Sequence, residues 1–598
     1  MPAEDGPRAE YQRRLGSWAA RIAALDRAHL TISNLRLLAA AAGAVMLWMA
    51  FVGHSLAPAW VLAPAVAFVA LVAVHARTLD RLERARRARR WYEMGLERLA
   101  ERWVGTVPPD RDGLRFADGH PYARDLDLFG RGSLFALLNL ATTEAGEESL
   151  ARWLSAGAEI SESIARQQAV GELRPMLDWR EELALVGADA GVSRTGTLAA
   201  WALAGPAGLG AGAAWLFGGC AVTSVALVAL AWMRPERLDL LLVWFGIEYG
   251  VAYFTQARVG RALAGIELAE RDLERLVEVL TLVEREPFRA PRLHALRDRL
   301  TVRGVPASLV IGRLRRLLSV LDATRNQMFA PIAYPLLLRS LVAVGVDRWR
   351  AANGPAVARW LDAIGDAEAL ACLAAYAYEH PADPFAEFSA DGPLLDARAL
   401  AHPLIGGDVA VPNDLALGLD ARALIVSGSN MSGKSTLLRA VGLNVVLAQA
   451  GAPVRAASLR LSRLTIGATI RVEDSLQAGQ SRFYAEILRI RDIVSLAAGP
   501  LPLLFLLDEI LHGTNSYDRR IGAGAIVRSL VEAGAIGLVT THDLALTELA
   551  RELEGAVANV HFEDRIENGR MAFDYRMRPG VVEHSNALAL MRAVGLRV

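Results

Sequence analysis

Lysine is almost missing from this sequence. Of its 65 basic residues only Lys434 is a lysine, and all the others are arginines. The planar guanidinium group of arginine does not replace a compact ammonium group inside a closed anion-binding loop. The single lysine therefore indicates a position where a small point charge is required.

Cysteine is nearly as scarce, and charge of either sign is not in excess. Cys220 and Cys372 fit neither a disulfide framework nor a zinc-binding spacing, so we expect two reduced, buried thiols. The formal net charge is zero, which excludes nucleic-acid binding driven by the charge of the whole chain. Any such binding must depend on a local basic patch.

Charged residues are missing altogether from residues 37–76, in a chain whose mean hydropathy is +0.26. A turn at 53–58 divides this run into segments 37–53 and 58–76, each of the length that crosses a bilayer. Arginines flank both segments, which places both flanks in the cytoplasm. The arginine run after the second segment is better explained by topology and lipid contact than by nucleic acid. We expect no cleavable signal peptide, because the first apolar run begins only near Leu37.

A second uncharged run covers residues 195–233 and is followed by another apolar run. We predict a second transmembrane hairpin, 212–233 and 238–257, within an insertion over 196–257. Pro206 and its neighbouring glycines leave an interfacial helix or an earlier start open. Glu248 falls within this hairpin, where it either pairs inside the bundle, has a role there, or lies at a shallower depth.

Residues 423–436 read ALIVSGSNMSGKST and contain the one lysine. A buried strand leads into Gly428, and Gly433 precedes Lys434, which matches the phosphate-binding loop pattern. In such a loop the backbone N–H groups and the following helix N-terminus face phosphate oxygens. We expect Lys434 to contact the β- and γ-phosphates and the Ser435 hydroxyl to bind Mg²⁺.

Two further strands are predicted downstream, and polar residues follow each of them. Residues 503–507 are apolar and end in Asp508 and Glu509, as a buried parallel strand presents carboxylates at its C-terminal edge. Asp508 is predicted to hold Mg²⁺ through water, and Glu509 to orient or deprotonate the attacking water. The strand at 536–541 leads into His542, which is predicted to sense the γ-phosphate or that water.

Between these motifs, residues 474–483 read DSLQAGQSRF and precede a helical run. Small residues and a serine before a helix form an N-terminal anion site. The order of the motifs along the chain is that of ATPases whose signature loop completes the nucleotide site of a partner subunit. Such a site requires a dimer.

Residues 258–400 have a helical pattern, and within them 289–316 carry eight arginines against one acid, Asp298. This stretch is the best candidate in the chain for contacts with a nucleic-acid backbone. A solvated helix face explains it equally well. Residues 329–345 are apolar but interrupted by Pro331, Pro335 and Arg339, so we predict a buried or dimer-facing helix there and not a fifth span.

Together these segments make the chain resemble the MutS family of ATPases over about residues 125–598, apart from the hydrophobic insertion. The segments that carry the resemblance are GSNMSGKST (428–436), DSLQAGQSRFYAEI (474–487), LLDEILHGTNSYDR (506–519), TTHD (540–543), PGVVEHSNALALMRAVGL (579–596), LDLFGRGSLFALLN (126–139), IARQQAVGEL (164–173) and HPLIGGDVAVPNDLAL (402–417). No counterpart of the mismatch-recognition, clamp or nuclease-like domains is identified. The chain therefore resembles membrane-anchored MutS-like proteins.

The resemblance implies a fold, a set of site residues and partners. The expected fold is an α-helical lever and core region with two transmembrane hairpins, followed by an α/β P-loop ATPase domain of the ABC type. The expected division is 1–95 with the first hairpin, 96–195 core and lever, 196–257 second hairpin, 258–400 lever helices and 401–598 ATPase. The implied site comprises nucleotide-binding Gly428, Asn430, Gly433, Lys434, Ser435 and Thr436, metal-binding Ser435 and Asp508, catalytic Glu509 and His542, and Ser481 acting in trans.

The implied cofactors are ATP and Mg²⁺, and the implied partners are a second copy of the chain, DNA and a lipid bilayer. We expect a multi-pass protein of a bacterial-type inner membrane, with the ATPase domain in the cytoplasm. The predicted function is ATP-dependent DNA binding coupled to hydrolysis in a homodimer. The alternative is an ATP-driven engine that remodels a membrane or protein partner and does not bind DNA.

Overall fold

The structure is a computed structural model that describes residues 6–105, 111–189, 195–324, 329–429, 431–471, 482–553, 555–567 and 570–582. The chain divides into two compact units. The first comprises Met1–Thr106 and Leu177–Asp189, and the second comprises Val107–Met176 and Ala190–Val598.

Helices predominate before residue 380, and helices and strands alternate after it. The helices are α1 (Pro7–Phe51), α2 (Leu62–Leu99), α3 (Leu134–Leu138), α4 (Glu144–Ser155), α5 (Ile160–Leu173), α6 (Leu177–Asp189), α7 (Thr195–Leu203), α8 (Ala211–Met233), α9 (Leu238–Leu263), α10 (Ile266–Arg285), α11 (Pro291–Arg299), α12 (Ala307–Ala323), α13 (Ala330–Ala333), α14 (Leu338–Glu379), α15 (Lys434–Ala450), α16 (Arg482–Ala497), α17 (Ser516–Glu532) and α18 (Leu549–Glu552). The strands are β1 (Thr301–Val302), β2 (Val305–Pro306), β3 (Glu387–Phe388), β4 (Leu395–Leu400), β5 (Asn413–Leu417), β6 (Ala423–Ser427), β7 (Ser458–Leu461), β8 (Thr465–Thr469), β9 (Leu503–Asp508), β10 (Ile536–Thr541), β11 (Val557–Glu567) and β12 (Arg570–Pro579).

In the first unit, α1 and α2 pack side by side in opposite directions. Tyr11, near the start of α1, is fully buried, with its ring centroid 5.5 Å from that of Tyr92 near the end of α2. A Cβ atom at Gly95 would lie 2.6 Å from the Tyr11 ring, so only glycine allows this approach. Farther along the pair, His29 and His75 have ring centroids 4.9 Å apart. Contacts spaced in this way fix the antiparallel register of the two helices.

Four described helices are long and apolar enough to cross a membrane, judged by length and composition: Pro7–Phe51, Pro58–Leu99, Ala211–Met233 and Pro235–Leu263. They cover the four segments predicted from the sequence, except that the first helix ends at Phe51, two residues before the predicted end. The helices α1, α2 and α9 continue beyond their apolar runs into arginine-bearing flanks, whereas α8 ends at Met233 with its uncharged run. For the second pair, α7 is a separate helix and α8 starts at Ala211, close to the predicted 212.

The carboxyl group of Glu248 is buried where α8 meets α9. The Ser224 hydroxyl donates a hydrogen bond of 3.1 Å to Glu248 Oε2, and Trp244 Nε1 donates one of 2.8 Å to Ser224 Oγ. Of the alternatives for Glu248, pairing within the helix bundle is the one observed. This chain satisfies one oxygen of a carboxyl group that is costly to desolvate, whereas Glu248 Oε1 has no hydrogen-bond partner among the described residues.

The long helix α14 forms the centre of the helical region. Trp360 is fully buried in it, and α4, α5, α7, α11 and α12 pack along its length. Its first turns contain buried Val342, Ala343 and Val344, and it is not among the four apolar helices named above. Residues 338–345 thus begin a largely buried helix, whereas Ile332 and Tyr334 before it are exposed, and a dimer-facing role for 329–345 stays a prediction.

The region after residue 380 contains a six-stranded sheet in the order β12-β11-β6-β10-β9-β8. All neighbours are parallel except β11 and β12, which are antiparallel. Every residue of β6 and β10 is buried, which explains why both read as continuous apolar runs. The three strands predicted from the sequence are the adjacent strands β6, β10 and β9, so their C-terminal ends meet at one edge. A second sheet, in the order β3-β7-β4-β5, lies in the same unit.

Candidate functional site

The phosphate-binding loop leaves β6 at Ser427 and enters α15 at Lys434. Gly428 has φ +150° and Gly433 has φ +102°, a conformation that side chains disfavour. A Cβ atom at Gly433 would lie 3.1 Å from the Tyr575 ring, and one at Gly428 would lie 2.9 Å from Ser432 Oγ. Both glycines are therefore required by backbone conformation and by space. The predicted ligand Asn430 lies outside the described residues.

Lys434 is buried, with only 4% of the residue exposed. Its Nζ donates hydrogen bonds of 2.8 Å to the carbonyl oxygens of both Gly428 and Ser429 and lies 3.5 Å from Glu509 Oε1. Burial lowers the pKa of Lys434, and the carboxylates of Glu509 and Asp508 act in the opposite direction. The ammonium group is thus held inside the curled loop, where an anion would meet it with little competing water.

A cavity of about 480 Å³ opens in front of the loop. This volume is in the range of small-molecule and cofactor sites. Its lining includes Gly433, Lys434, Ser435, Thr436 and Glu509 on the side of the loop, and His402, Asn413 and Tyr575 among the other lining residues.

The loop residues fit a phosphate-bearing ligand. The hydroxyl groups of Ser429 and Ser432 are buried and have no hydrogen-bond partner among the described residues, so a phosphate group could satisfy these two polar side chains of the loop. The N-terminus of α15 starts at the same place and adds unpaired backbone N–H groups. Ser435 and Asp508 are oxygen donors of the kind that Mg²⁺ prefers.

The predicted carboxylates stand where β9 ends. The Thr540 hydroxyl on neighbouring β10 donates to Asp508 Oδ1, and the Glu509 backbone N–H donates a hydrogen bond of 3.0 Å to that hydroxyl oxygen. Glu509 itself has φ +47°, a strained conformation for a residue with a side chain. This turn aims the Glu509 side chain back toward the phosphate-binding loop and the cavity.

Positive and polar groups surround the Glu509 carboxylate. His542 Nε2 lies 2.8 Å and His512 Nε2 lies 3.0 Å from Oε2, while Lys434 lies near Oε1. Burial raises the pKa of Glu509, but the hydrogen bond from His542 and the charges of His542, Lys434 and His512 outweigh it and lower the pKa to about 2. Glu509 is therefore ionised at neutral pH, as an acceptor of hydrogen bonds from water must be.

Some residues at or beside the cavity were not predicted as ligands or catalysts. His512 lies in the segment that resembles MutS, but only the left-handed turn at Glu509 and Leu511 brings its ring to the site. His402 lies in the resembling segment 402–417, whereas Tyr575, with φ +54°, carried no recognisable signal. The predicted trans-acting residue Ser481 lies outside the described residues, as does 583–598 of the C-terminal segment.

The arginines of 289–316 divide into two groups. Arg292 and Arg299 pair with buried Asp366, at 3.0 and 2.8 Å. Arg313 and Arg316 on α12 are exposed. Arg292 and Arg299 therefore fit neither of the two predicted explanations. For the exposed Arg313 and Arg316, contact with a nucleic-acid backbone and a solvated helix face both stay predictions.

Comparison with known protein families agrees with this geometry. Residues 424–597 match the family described as MutS domain V. The match supports a member of the MutS family. The matched range runs from β6 through the phosphate-binding loop, Asp508, Glu509 and His542, so the resemblance predicted from the motifs is confirmed for the ATPase domain.

Proposed function

We propose that this chain is a membrane-anchored MutS-like ATPase that works as a homodimer and binds DNA under the control of ATP. The observation that carries the proposal is the convergence of three groups at one sheet edge: the lone lysine, the Glu509 carboxylate and the His542 ring. It is supported by the cavity in front of them and by the match to MutS domain V.

In the proposed reaction each residue has a separate role. Lys434 and the N–H groups at the start of α15 hold the β- and γ-phosphates of ATP. Ser435 and Asp508 hold Mg²⁺, which when bound neutralises charge on the phosphates. Glu509 accepts a hydrogen bond from the attacking water and orients it toward the γ-phosphate. His542 fixes Glu509 through the contact at Oε2 and responds to whether the γ-phosphate is present.

The proposed dimer follows from the order of the motifs. In such ATPases the signature segment of one subunit faces the nucleotide held by the other. Ser481 is the residue that we assign to this role, because it directly precedes α16 in the sequence and a helix N-terminus favours an anion.

The proposed membrane anchor rests on the four apolar helices. Exposed apolar side chains along them include Trp48, Val66, Trp232 and Phe254, each more than half exposed. Exposed apolar patches of this extent on a single protein indicate contact with lipid or with another chain. An even number of crossings keeps the ATPase domain on the side of the arginine-rich flanks, which we place in the cytoplasm beneath a bacterial-type inner membrane, where ATP is available.

The decisive experiment compares two substitutions in the detergent-solubilised full chain. Glu509→Gln should retain ATP binding and reduce turnover by roughly 10²- to 10⁴-fold, because it removes the group that activates water. Lys434→Ala should lose both binding and turnover. A fluorescent ATP analogue measures binding, and phosphate release measures turnover. Turnover by Glu509→Gln at the wild-type rate would remove Glu509 from the proposed mechanism.

DNA binding is tested at the exposed arginines of α12. If Arg313 and Arg316 each contact one phosphate, replacing both with alanine should lower the slope of log K against log salt by about 2. Arg491→Ala, an exposed arginine on α16, is the matched control and should leave the slope unchanged. ATP turnover without DNA affinity at low salt would contradict this part of the proposal and favour an engine that acts on a membrane or protein partner.

A further inference from the structure

Three ligand atoms converge beside the phosphate site: Glu509 Oε2, His512 Nε2 and His542 Nε2. Both nitrogens contact the carboxylate oxygen, at 3.0 and 2.8 Å, and the two nitrogens lie 3.0 Å from each other. The three atoms thus form a nearly equilateral triangle in which every pair is within hydrogen-bonding distance.

Hydrogen bonds alone do not satisfy this triangle. If both Nε2 atoms carry protons, both donate to Glu509, but two N–H groups then face each other at 3.0 Å. If only one carries a proton, at least one of the three contacts sets a lone pair against a lone pair. With Glu509 ionised, one edge of the triangle is therefore repulsive in every protonation state of the two imidazoles. With a metal ion at the centre of the triangle, all three atoms could direct a lone pair at the same positive charge.

The dimensions fit a metal ion. Bonds of about 2.0–2.1 Å to nitrogen and oxygen place neighbouring ligands roughly 3.3 Å apart in tetrahedral and roughly 2.9 Å apart in octahedral coordination. The observed separations of 2.8 to 3.0 Å come close to these values. A cavity of about 20 Å³ is lined by all three residues, and this is room for one water-sized particle.

The backbone around the triangle holds it in place. Glu509 and Leu511 have φ +47° and +61°, so the chain turns back and brings the side chains of 509 and 512 to one side. The Arg519 guanidinium donates hydrogen bonds of 3.2 Å to the carbonyl oxygens of Leu511 and Thr514, which fixes the turn. Strained left-handed backbone angles at two residues so close in the chain are typical of functional sites.

The positive charges near the triangle are already engaged. Arg519 is used by the backbone carbonyls, and Arg520, which also lines the small cavity, pairs with Glu548 at 2.9 Å. Lys434 lies on the other carboxylate oxygen, Oε1, and not in the triangle. Neither Arg519 nor Arg520 therefore competes with a metal ion for Glu509 Oε2.

We propose that Glu509, His512 and His542 bind one divalent transition-metal ion of the zinc and cobalt class. Two imidazoles and one carboxylate favour such ions over Mg²⁺, which prefers oxygen ligands. The inference rests on the proposed function in one respect: a metal on Oε2 occupies the carboxylate that is proposed to orient water. Binding of the metal would therefore lower ATP turnover and act as an inhibitory control of the site.

The test is a titration of the full chain in detergent, without a polyhistidine tag and in the presence of excess Mg²⁺, with Co²⁺ as the probe. We expect visible ligand-field bands that saturate at one cobalt per chain and disappear when Zn²⁺ is added. His512→Gln and His542→Gln should each weaken cobalt binding by at least about tenfold, since even indirect changes at metal sites have effects of that size. His380→Gln, which replaces a histidine packed on Tyr376, is the matched control and should bind cobalt as the wild type does.

Independent readouts separate the possible results. Binding of a fluorescent ATP analogue and the far-UV circular dichroism spectrum show whether each variant is folded. Absence of cobalt bands in a wild-type chain that binds ATP would overturn the metal site and leave the proposed function intact. Wild-type cobalt affinity in folded His512→Gln would also overturn it. A chain that binds one cobalt through these histidines but does not bind ATP would support the metal site and contradict the proposed function.

Discussion

Asp125 is the residue whose replacement most directly tests how the helical region supports the ATPase site. Its carboxylate is 2% exposed. Oδ1 accepts hydrogen bonds from the backbone N–H groups of Ile470, at 2.7 Å, and Arg471, at 2.9 Å, and Oδ2 accepts one from Arg489 at 2.6 Å. Ile470 and Arg471 lie shortly before the predicted signature segment 474–483, and Arg489 lies on α16 after it, so one carboxylate anchors the chain on both sides of that segment.

Replacing Asp125 with asparagine keeps one acceptor and removes the charge. The amide oxygen can still accept from the two backbone N–H groups, but the amide NH₂ then faces Arg489, donor against donor. Breaking a buried pair costs about 3–5 kcal/mol, and a single hydrogen bond to a charged group contributes about 1.5–3 kcal/mol. Because the Arg489 side chain is 32% exposed and is partly rehydrated, we expect a local loss of about 2–3 kcal/mol.

Hydrogen exchange measures this loss where it occurs. A local opening free energy lowered by 2–3 kcal/mol accelerates exchange of the 470 and 471 amides roughly 30- to 150-fold. Asp127→Asn is the control, because Asp127 pairs with Arg471 at 2.6 Å but its side chain is 30% exposed. Such a pair contributes less than about 1 kcal/mol, which limits the acceleration to roughly fivefold. Equal acceleration in the two variants would refute the anchoring argument.

Two further predictions concern the cavity. Burial, with a smaller effect of Arg439, lowers the pKa of His402 from 6.5 to about 4, so its neutral form is favoured in the folded chain. The resulting contribution to the free energy of unfolding is present above pH 6.5 and is lost as the pH falls toward 4, by at most about 3 kcal/mol. His402→Gln should therefore make the urea-denaturation midpoint less dependent on pH over this range. A variant whose midpoints follow the wild-type pH profile would contradict this prediction. Gly433→Ala should weaken ATP binding at least about tenfold, because its Cβ meets Tyr575 at 3.1 Å in a left-handed backbone conformation that costs a further ~1–2 kcal/mol. Gly171→Ala, where a Cβ meets no atom within 4 Å, is the control, and equal ATP affinities for the two would show that Gly433 is not required.

Much of the ATPase region could be read from the sequence because its signals are local. A buried parallel strand is a continuous apolar run, and polar residues that follow such runs meet at one sheet edge whatever the connections between them. The apolar runs of strands 423–427, 503–508 and 536–541 therefore predict from the sequence alone that Lys434 and Glu509 lie at the same sheet edge. The four apolar helices could be predicted equally well, because the length of a segment without charged residues is a property of the sequence alone.

Contacts between distant segments could not be read in this way. Asp125 and Ile470 are 345 positions apart, and the pairing of Arg292 with Asp366 changes an apparent basic surface into an internal ion pair. Periodicity records which side of an element is buried, but not which charged group it meets. For this reason the stretch 289–316 looked uniformly basic in the sequence and proved divided in the structure.

The apolar helices, the strands of the central sheet and the single lysine in its loop can be predicted from residue order, because apolar runs, glycines and spacing act over a few residues. The meeting of His512 with Glu509 and His542 is a property of the folded chain. That meeting depends on left-handed backbone angles at two residues with side chains and on the pairing of β9 with β10. Backbone angles of this kind are imposed by the surrounding packing and leave no mark in the order of residue types.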